Sequence, residues 1–264
     1  MAKLEWDKVG EKEYELGNKK GVLFVRNSDG TYQNGVAWNG LTSVSESPEG
    51  GEQNDQYADD IKYISITTEE EFKGTIEAFT YPDQFKMCDG QMEVVPGFTI
   101  SMQKRAAFGF CYRTTIGNDT EDLDHGYKLH IVYAAKCTPT EKSYETLNDS
   151  PEAMTFSWEF STTKNYYMIN GVKKKLAHII IDSRKVADKS YLTKLEEMLY
   201  GTDNTDSQLP DPETIYLVLI GATELDPPTL SISGTTLTIT DASGDAEYFD
   251  VYSGNTKIAT VSAT

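Results

Sequence analysis

The sequence predicts a mainly β protein, an antiparallel β-sandwich or barrel-like fold with one flanking α-helix. Residues 154–161 read MTFSWEFS, so that every second side chain is large and apolar while its neighbours are small or charged. This period of two is typical of a strand with one packed and one solvated face. Only one stretch, near residues 188–200, has helical spacing, and 264 residues are enough to bury a core around such a sheet.

The same alternation recurs along the chain and places the other strands. It repeats at residues 72–78 and 128–133, and the polar stretch 117–126 would join two strands in a hairpin. Antiparallel strands of this kind pack on the core with one face and meet solvent with the other. We therefore expect one wet face on each strand. Further strands are predicted at residues 41–45, 61–67, 106–116, 176–182 and 214–220.

The single predicted helix has a start signal, an apolar face and a stop signal. Leu192, Leu195 and Leu199 recur at i, i+3 and i+7, which places them on one helical face. Asp188 can cap the first turn, and Gly201 stands where a C-terminal cap belongs. The helix should therefore cover about residues 188–200 and pack its leucines on the sheet.

The composition of the sequence changes at Asp226-Pro227-Pro228, and short strands rich in Thr and Ser are predicted after it. A doubled proline stiffens the chain and is typical of a domain boundary. We predict a main domain at residues 1–225 and a short β segment at residues 226–264. So short a segment rarely folds unaided, so it is expected to dock on the main body or another subunit, or to belong to a longer gene product.

Charge limits the possible partners of the chain. Asp and Glu number 42 against 24 Lys and Arg, which leaves a formal net charge of −18. Binding to nucleic-acid phosphates needs Lys and Arg to replace the released counterions. The sequence therefore argues against nucleic-acid binding, although nucleic acid could still slide past such a surface.

Cysteine use and hydropathy suggest a soluble protein made in the cytoplasm. Cys88, Cys111 and Cys137 are odd in number and have no metal-ligand spacing, and the first residues lack the apolar run of a signal peptide. No apolar window approaches the roughly 20 residues that a membrane helix needs. We expect reduced thiols and no membrane partner.

Residues that could carry chemistry are scattered along the sequence. His125, His130 and His178 have no clustered spacing, so no metal site is expected. Glu77 and Glu159 fall on the polar faces of two strands and are best interpreted as solvated. Cys111 has no adjacent base and is interpreted as an inert buried thiol. Without a catalytic constellation or a cofactor motif, the chain is expected to bind or assemble and not to be an enzyme.

Two charged stretches stand out from the strand pattern. Residues 45–60 hold six carboxylates, no positive charge and the breakers Pro48, Gly50 and Gly51, so this segment is expected to stay unpacked in the free chain. Lys173, Lys174 and Lys175 follow a probable turn. They are interpreted either as a charged strand edge that discourages aggregation or as a contact for the acidic segment of a neighbouring chain.

Five blocks of sequence, in order, carry a family resemblance. They are GVAWNGLTSVSESPEGGEQNDQYADDIKY, GTIEAFTYPDQFKMCDG, FGFCYRTTIGNDTEDLDHGYKLHIVY, NDSPEAMTFSWEFSTT and KLEEMLYGTDNTDSQLPDPETI. Over about residues 4–220 the chain resembles the major tail protein, the tail tube subunit, of long-tailed bacteriophages and prophages of Gram-positive bacteria. The C-terminal segment is similar to half of an immunoglobulin-like or fibronectin-like module.

The resemblance implies a structural virion protein made in the cytoplasm of the bacterial host. Its subunits would form hexameric rings that stack into the tail tube, through which DNA passes into the host during ejection without specific binding. The tape measure protein inside the tube and the tail terminator and baseplate proteins at its ends are the further partners that the resemblance implies.

The resemblance also implies roles for particular residues. An acidic lining would repel DNA phosphates, with Phe156, Trp158 and Phe160 turned inward against a second sheet and the helix. The expected lumen-facing residues are Thr75, Glu77, Ser157, Glu159 and Ser161. The expected loop between rings contains Glu46, Pro48, Glu49, Gly50, Gly51, Glu52, Asp55, Tyr57, Asp59 and Asp60.

Two other classes of protein stay open on the sequence alone. A carbohydrate-binding or adhesin-like β-sandwich is favoured by the module-like C-terminal segment and by the aromatic content of 11%. A β-sandwich glycosidase would need two isolated carboxylates within a cleft. The tail tube subunit is the prediction that accounts for the most features.

Overall fold

A computed structural model describes residues 3–144, 146, 153–163 and 165–222 and four further strands near the C-terminus. The chain divides into two compact units, Met1–Leu219 and Ile220–Thr264. In the described residues of the first unit, two α-helices, α1 (Lys189–Tyr200) and α2 (Pro212–Leu219), and a short 3-10 helix (Asp83–Met87) accompany the strands. Its strands are β1 (Tyr14–Val25), β2 (Val36–Trp38), β3 (Leu41–Glu46), β4 (Gln53–Ala58), β5 (Ile61–Thr67), β6 (Lys73–Ala78), β7 (Met92–Val95), β8 (Phe98–Ile100), β9 (Phe108–Asn118), β10 (Asp122–Cys137), β11 (Phe156–Thr162), β12 (Asn165–Ile169), β13 (Val172–Leu176) and β14 (His178–Asp182).

One antiparallel sheet organises the first unit and curls back on itself. Its strands run in the order β2-β1-β9-β10-β11-β6-β3, and β14 pairs with β10 beside this path. The two end strands, β2 and β3, are separated in the chain only by residues 39–40, so the two ends of the sheet must lie close together. Leu41 of β3 packs directly on Gly21 of β1, where a Cβ atom would lie 2.2 Å from the leucine side chain. The predicted mainly β, barrel-like class is confirmed.

The interior of the curled sheet is a large apolar cluster, here called the inner core. All seven strands of the path contribute side chains to it, among them Leu23, Trp38, Phe110 and Trp158. Because every strand contributes side chains to the same cluster, the sheet must wrap around it. The 3-10 helix adds Phe85, whose ring centroid lies 4.4 Å from that of Trp38 and 5.1 Å from that of Trp158.

The opposite face of β1, β9 and β10 is covered by the helices and forms a second cluster, the outer core. Val22, Cys111 and Ile131 belong to it, whereas their chain neighbours Leu23, Phe110 and Val132 belong to the inner core. These central strands are therefore buried on both faces. The expectation of one wet face per strand is wrong for β9 and β10, because the helices cover the second face.

Helix α1 is confirmed with its predicted caps and apolar face. The Asp188 carboxylate accepts a 2.8 Å hydrogen bond from the Ser190 N–H, and the Gly201 N–H closes the last turn on Glu197. Leu192, Leu195 and Leu199 are buried in the outer core. Trp158 and Phe160 lie in the inner core instead, so the expectation that their side of the sheet packs against the helix is wrong.

The predicted strand at residues 214–220 is also wrong, because this stretch forms helix α2. Its apolar run does not distinguish a buried strand from a buried helix. The start signal decides between them: the Asp211 carboxylate accepts a 2.9 Å hydrogen bond from the Thr214 N–H, and Pro212 occupies the first turn, where proline is tolerated. Ile215 is then buried in the outer core.

The second unit consists of paired strands in its described part. Strand β15 (Thr229–Ser233) pairs with β16 (Thr236–Thr240), and β17 (Tyr248–Ser253) pairs with β18 (Thr256–Ser262), both antiparallel. The boundary near residue 225 and the immunoglobulin-like character of residues 226–264 stay predictions. Within the described residues, no helix has both the length and the apolar character that crossing a membrane would require.

Candidate assembly surfaces

The acidic segment forms one side of a long two-stranded ribbon. Strands β3 and β6 pair first, and the pairing then continues through Glu49 and Glu71 to Glu52 and Thr68. Beyond them β4 pairs with β5 up to a tight turn at Asp59 and Asp60, whose φ angles are 50° and 60°. The ribbon therefore runs from the curled sheet to an acidic tip, and its β4–β5 part extends about 20 Å by the rise of a strand.

Residues 45–60 are all exposed, as expected of an unpacked segment, but the expectation of a loop is wrong, because residues 53–58 form β4 and pair with β5. Pro48, Gly50 and Gly51 interrupt the ladder without ending the pairing. Gly50 (φ 98°) passes so close to the opposite strand that a Cβ atom would lie 2.3 Å from the Glu69 carbonyl oxygen. A two-residue hairpin turn of this kind needs positive φ angles at both central residues. Asn-Gly adopts these angles more readily than Asp-Asp does. The Asp59-Asp60 pair was therefore a weak signal in the sequence.

One face of the β4–β5 hairpin is exposed and carries three isoleucines. Ile61, Ile64 and Ile66 lie opposite Ala58, Gln56 and Asn54, which share one side of β4 because they alternate along it. The exposed fractions of the three isoleucines are 63%, 51% and 53%. An apolar stripe of this kind on a projecting ribbon is typical of a surface that another molecule covers. The residues of this stripe, here called the isoleucine face, are Asn54, Gln56, Ala58, Ile61, Ile64 and Ile66.

The other face of the hairpin is polar and internally paired. The Ser65 hydroxyl donates a 2.5 Å hydrogen bond to Asp55, and Lys62 Nζ lies 2.7 Å from the same carboxylate. Both contacts lower the pKa of Asp55, and the contact with Lys62 has the larger effect. Tyr57 lies opposite Lys62 on this face and is exposed. Asp55 therefore already has a basic partner within its own chain.

The junction between the curled sheet and the hairpin is also paired within the chain. Lys73 forms an ion pair with Glu49, which lowers the pKa of that carboxyl group. Glu46, at the end of β3, accepts a 2.5 Å hydrogen bond from the Tyr112 hydroxyl. Of the residues predicted for a loop between rings, Asp59 and Asp60 form the exposed tip, and Pro48, Gly50, Gly51 and Glu52 form the junction.

The five residues predicted to face a lumen share one side of β6 and β11. The register pairs Ser157 with Glu77, Glu159 with Thr75 and Ser161 with Lys73. Their chain neighbours Ile76, Trp158 and Phe160 point into the inner core, so the five lie on the outer side of the curled sheet, where the helices do not cover it. Glu159 is exposed, and the other four, Thr75, Glu77, Ser157 and Ser161, are half-buried.

This outer surface, here called the wet face, adjoins the ribbon junction. A groove of about 480 Å³ is lined by Pro48 and Glu49 together with Glu159 and Ser161. The Ser43 hydroxyl donates a 2.7 Å hydrogen bond to Glu77, which fixes that carboxylate on β6. The structure therefore brings the acidic segment beside the predicted lumen residues. The wet face also meets two cations, because Lys73 on β6 and the exposed Lys136 on β10 both lie opposite Ser161.

The basic run lies on β13, in a hairpin with β12. Lys175 Nζ lies 3.4 Å from the Glu70 carbonyl oxygen and 3.9 Å from a Glu69 carboxylate oxygen of the same chain. Lys173 Nζ lies 4.9 Å from the centre of the Tyr166 ring. All three lysines are exposed, but Lys175 already contacts the strand that returns from the ribbon tip.

Sequence reasoning missed a second exposed apolar hairpin, formed by β7 and β8. Its register pairs Met92 with Ile100 and Val95 with Phe98, and Met92, Val94, Val95 and Phe98 are all exposed. The signal was present, because Pro96-Gly97 between two short apolar runs is a turn pattern. The runs are too short for their alternation to stand out.

The structure changes the interpretation of the histidines and supports that of the cysteines. His130 and His178 come together because β10 pairs with β14, so the argument from scattered spacing is wrong for these two. Cys88, Cys111 and Cys137 are buried free thiols. Burial raises the pKa of Cys88 and of Cys111 to about 12, which keeps both thiols protonated and poorly nucleophilic.

The fold and these surfaces define a β-barrel-like protein with exposed apolar ribbons. A family model described as phage tail tube protein matches residues 1–208. No curated protein matches the chain. Among solved structures, the chain is similar to one from the PVC sheath–tube complex of an extracellular contractile injection system in its extended state, at 12% identity, with 62% of this chain and 88% of that chain covered and a TM-score of 0.26. A likeness at that TM-score carries no argument.

The chain belongs to the phage tail tube protein family, because the family model matches well over half of its length. The resemblance read from the five sequence blocks is thereby confirmed. The protein is a structural component of the bacteriophage tail, a tail tube protein.

Proposed function

We propose that this chain assembles with copies of itself into hexameric rings that stack into the tail tube, and that the ribbon of one subunit reaches a neighbouring ring. The observation that carries the proposal is the isoleucine face. Three isoleucines, each more than half exposed, lie on a hairpin that projects from the curled sheet. Removing apolar surface of this kind from water would stabilise an assembly of subunits.

A second copy of this chain is the occupant that fits the isoleucine face. A subunit of a tube built from identical chains meets other copies above and below it, and each copy offers the same surfaces. The β7–β8 hairpin supplies a further exposed apolar surface on every copy. The carboxylates at the tip, Asp59 and Asp60, could then meet Lys174 of a neighbour, which is exposed on β13.

The wet face would line the lumen. Its carboxylates, Glu77 and Glu159, would repel the phosphates of passing DNA, in keeping with the net charge of −18. DNA would then pass during ejection without being bound. The tape measure protein inside the tube and the terminator and baseplate proteins at its ends would be further partners, and the protein would be made in the host cytoplasm and have no enzymatic role.

The test of this proposal is tube formation by the purified full chain, followed by electron microscopy and sedimentation. Ile64→Asn removes the central isoleucine, and Thr67→Asn on the polar face is the matched control. Burying a half-exposed isoleucine contributes about 1 kcal/mol, which corresponds to about a fivefold change in affinity for each contact. We expect the subunit concentration needed for tubes to rise at least about fivefold for Ile64→Asn and to stay unchanged for Thr67→Asn.

Two outcomes would contradict the proposal. Tubes that form from Ile64→Asn at the wild-type concentration would show that the isoleucine face takes no part in association. A wild-type chain that forms hollow tubes whose rings do not contain six subunits would contradict the hexamer. Because tube growth can require an initiator, the assay includes preformed wild-type tubes as seeds.

A further inference from the structure

Three ligand-type atoms from distant parts of the sequence converge at one end of the inner core. The Glu46 Oε1, His130 Nδ1 and His178 Nε2 atoms form a triangle with sides of 3.1 Å (Glu46–His130), 3.3 Å (His130–His178) and 3.7 Å (Glu46–His178). Among the described residues, these three are the one group of His, Cys, Asp or Glu side chains whose ligand atoms lie close enough together to hold a single metal ion. His130 and His178 lie outside the surfaces considered above for assembly, whereas Glu46 stands at the base of the ribbon.

Strand pairing explains why these residues meet. In the β10–β14 ladder, Val132 pairs with His178 and Ile180 pairs with His130, so the two histidines are diagonal neighbours on one face. Glu46 approaches them from the last position of β3. Aromatic rings hold both imidazoles: the Tyr112 ring stacks on His130 at 4.5 Å and the Phe72 ring stacks on His178 at 4.4 Å.

A hydrogen-bond relay defines the tautomer of His130. Its Nε2 atom lies 3.2 Å from the Thr114 hydroxyl, and that hydroxyl donates its own proton to Glu15. Thr114 must then accept from His130 Nε2–H, which leaves a lone pair on Nδ1. Metal-binding histidines usually donate their second ring nitrogen to a neighbouring acceptor in this way.

The relay leaves an electrostatic conflict at the centre of the triangle. A lone pair on His130 Nδ1 faces a carboxylate oxygen at 3.1 Å, and the Tyr112 hydroxyl already donates to that oxygen. Either the Nε2–H of a neutral His178, 3.3 Å from His130 Nδ1, or a cation bound among the three atoms can satisfy this lone pair.

We propose that Glu46, His130 and His178 bind one divalent transition-metal ion, with zinc as the best fit. Tetrahedral bonds of about 2.0–2.1 Å place neighbouring ligand atoms about 3.3–3.4 Å apart, close to the three sides of the triangle. Two imidazoles and one carboxylate suit zinc better than calcium or magnesium, which prefer oxygen ligands. A water molecule would complete the coordination, as it does at zinc sites with three protein ligands.

The ion would join three separate strands at the base of the ribbon. Glu46 ends β3, and the ribbon continues from it, whereas His130 and His178 belong to β10 and β14. Zinc would therefore stabilise the fold and hold the base of the ribbon in place. The inference does not depend on ring stacking, because the ligands all come from one chain.

The experiment uses the full chain without a polyhistidine tag, stripped of metal with a chelator. Zinc is titrated by calorimetry, and cobalt is titrated while the intense visible bands of tetrahedral Co²⁺ are recorded. We expect one ion per chain, a rise in melting temperature, and a loss of affinity of about 100-fold or more in Glu46→Gln and His178→Gln. His125→Gln is the matched control, because it makes the same substitution at a histidine outside the proposed site. The ring nitrogens of His125 contact Glu121 and Glu13.

The proposal is overturned if Glu46→Gln and His178→Gln bind zinc as tightly as the wild type, or if His125→Gln loses the binding. It is equally overturned if the stripped wild-type chain takes up no zinc or cobalt. Circular dichroism of each variant establishes that it is folded. Should His178→Gln unfold, Glu46→Gln still decides the question, because Glu46 is an exposed residue at the end of its strand.

Discussion

Glu49 and Glu71 face each other across the ribbon and exchange two backbone hydrogen bonds, of 2.9 Å and 2.7 Å. This pair connects the β3–β6 ladder to the β4–β5 hairpin. The two carboxylates do not attract each other, since like charges opposite each other repel, but Glu49 forms an ion pair with Lys73 on the other strand. Backbone pairing and this one ion pair therefore carry the ribbon across a stretch in which the sequence favours an irregular loop.

We expect that the β4–β5 hairpin can be removed without breaking the fold. Glu52 and Thr68 are already joined by a 2.8 Å hydrogen bond from the Thr68 N–H to the Glu52 carbonyl oxygen. Replacing residues 53–67 with Asn-Gly would close the ribbon with a favoured two-residue turn. We expect a melting temperature within a few degrees of the wild type and a loss of tube formation in sedimentation and electron microscopy. Wild-type tubes from the shortened chain would show that the hairpin is not needed between rings.

Charge reversal on the wet face should create a DNA-binding lumen. In Glu159→Lys an exposed carboxylate on β11 becomes a cation, and Glu197→Lys on the exposed side of α1 makes the same change in net charge elsewhere. Added cations attract phosphates and release counterions. We expect assembled Glu159→Lys tubes to retain labelled DNA at low salt more strongly than Glu197→Lys tubes, as measured by co-sedimentation. Equal retention by the two variants would place β11 away from the lumen.

The inner core depends on Trp158. Its side chain is fully buried, at 0% exposure, whereas Trp6 is 76% exposed. Removing a large buried aromatic side chain costs about 3–5 kcal/mol, because it leaves a cavity as well as losing apolar burial. We expect Trp158→Ala to lower the free energy of unfolding by about that amount in urea titrations. Trp6→Ala serves as the control and should change it by less than about 0.5 kcal/mol.

The Asp182–Arg184 pair should make stability depend on pH in the acid range. Arg184 donates hydrogen bonds from its side chain and backbone to Asp182, and these lower the pKa of the Asp182 carboxyl group to about 2. A carboxyl group with a lowered pKa stabilises the fold above its unfolded pKa of 3.8, and this contribution is lost as pH falls toward 2. We expect Asp182→Asn to be less stable at pH 6 and to lose less stability between pH 5 and pH 3.

The matched control for this pH series is Asp203→Asn, at an exposed position in the loop after α1. Its stability should fall between pH 5 and pH 3 as much as that of the wild type. If the Asp182→Asn curve runs parallel to the wild-type curve over that range, the pair does not contribute to the acid dependence.

Local sequence patterns predict a strand or helix correctly where the interactions that determine it lie within that strand or helix. The alternation around Trp158 produced a strand with one apolar side, and Asp188, the three leucines and Gly201 together defined α1. The apolar run of α2 is compatible with a strand and with a helix, and only its cap at Asp211 distinguishes the two. In that case the deciding signal was present in the sequence.

The sequence by itself determined the mainly β class, the position of α1 and the acidic balance, because each depends on residues close together in the chain or on composition. It also determined the tail tube family, because five blocks of sequence in order are specific without any knowledge of how they pack. Only the tertiary structure decided that β9 and β10 are buried on both faces, since coverage depends on which elements pack there. It also decided that the acidic segment is half of a ribbon. The meeting of Glu46, His130 and His178 follows from the pairing of strands far apart in the chain, and no local spacing encodes such a pairing.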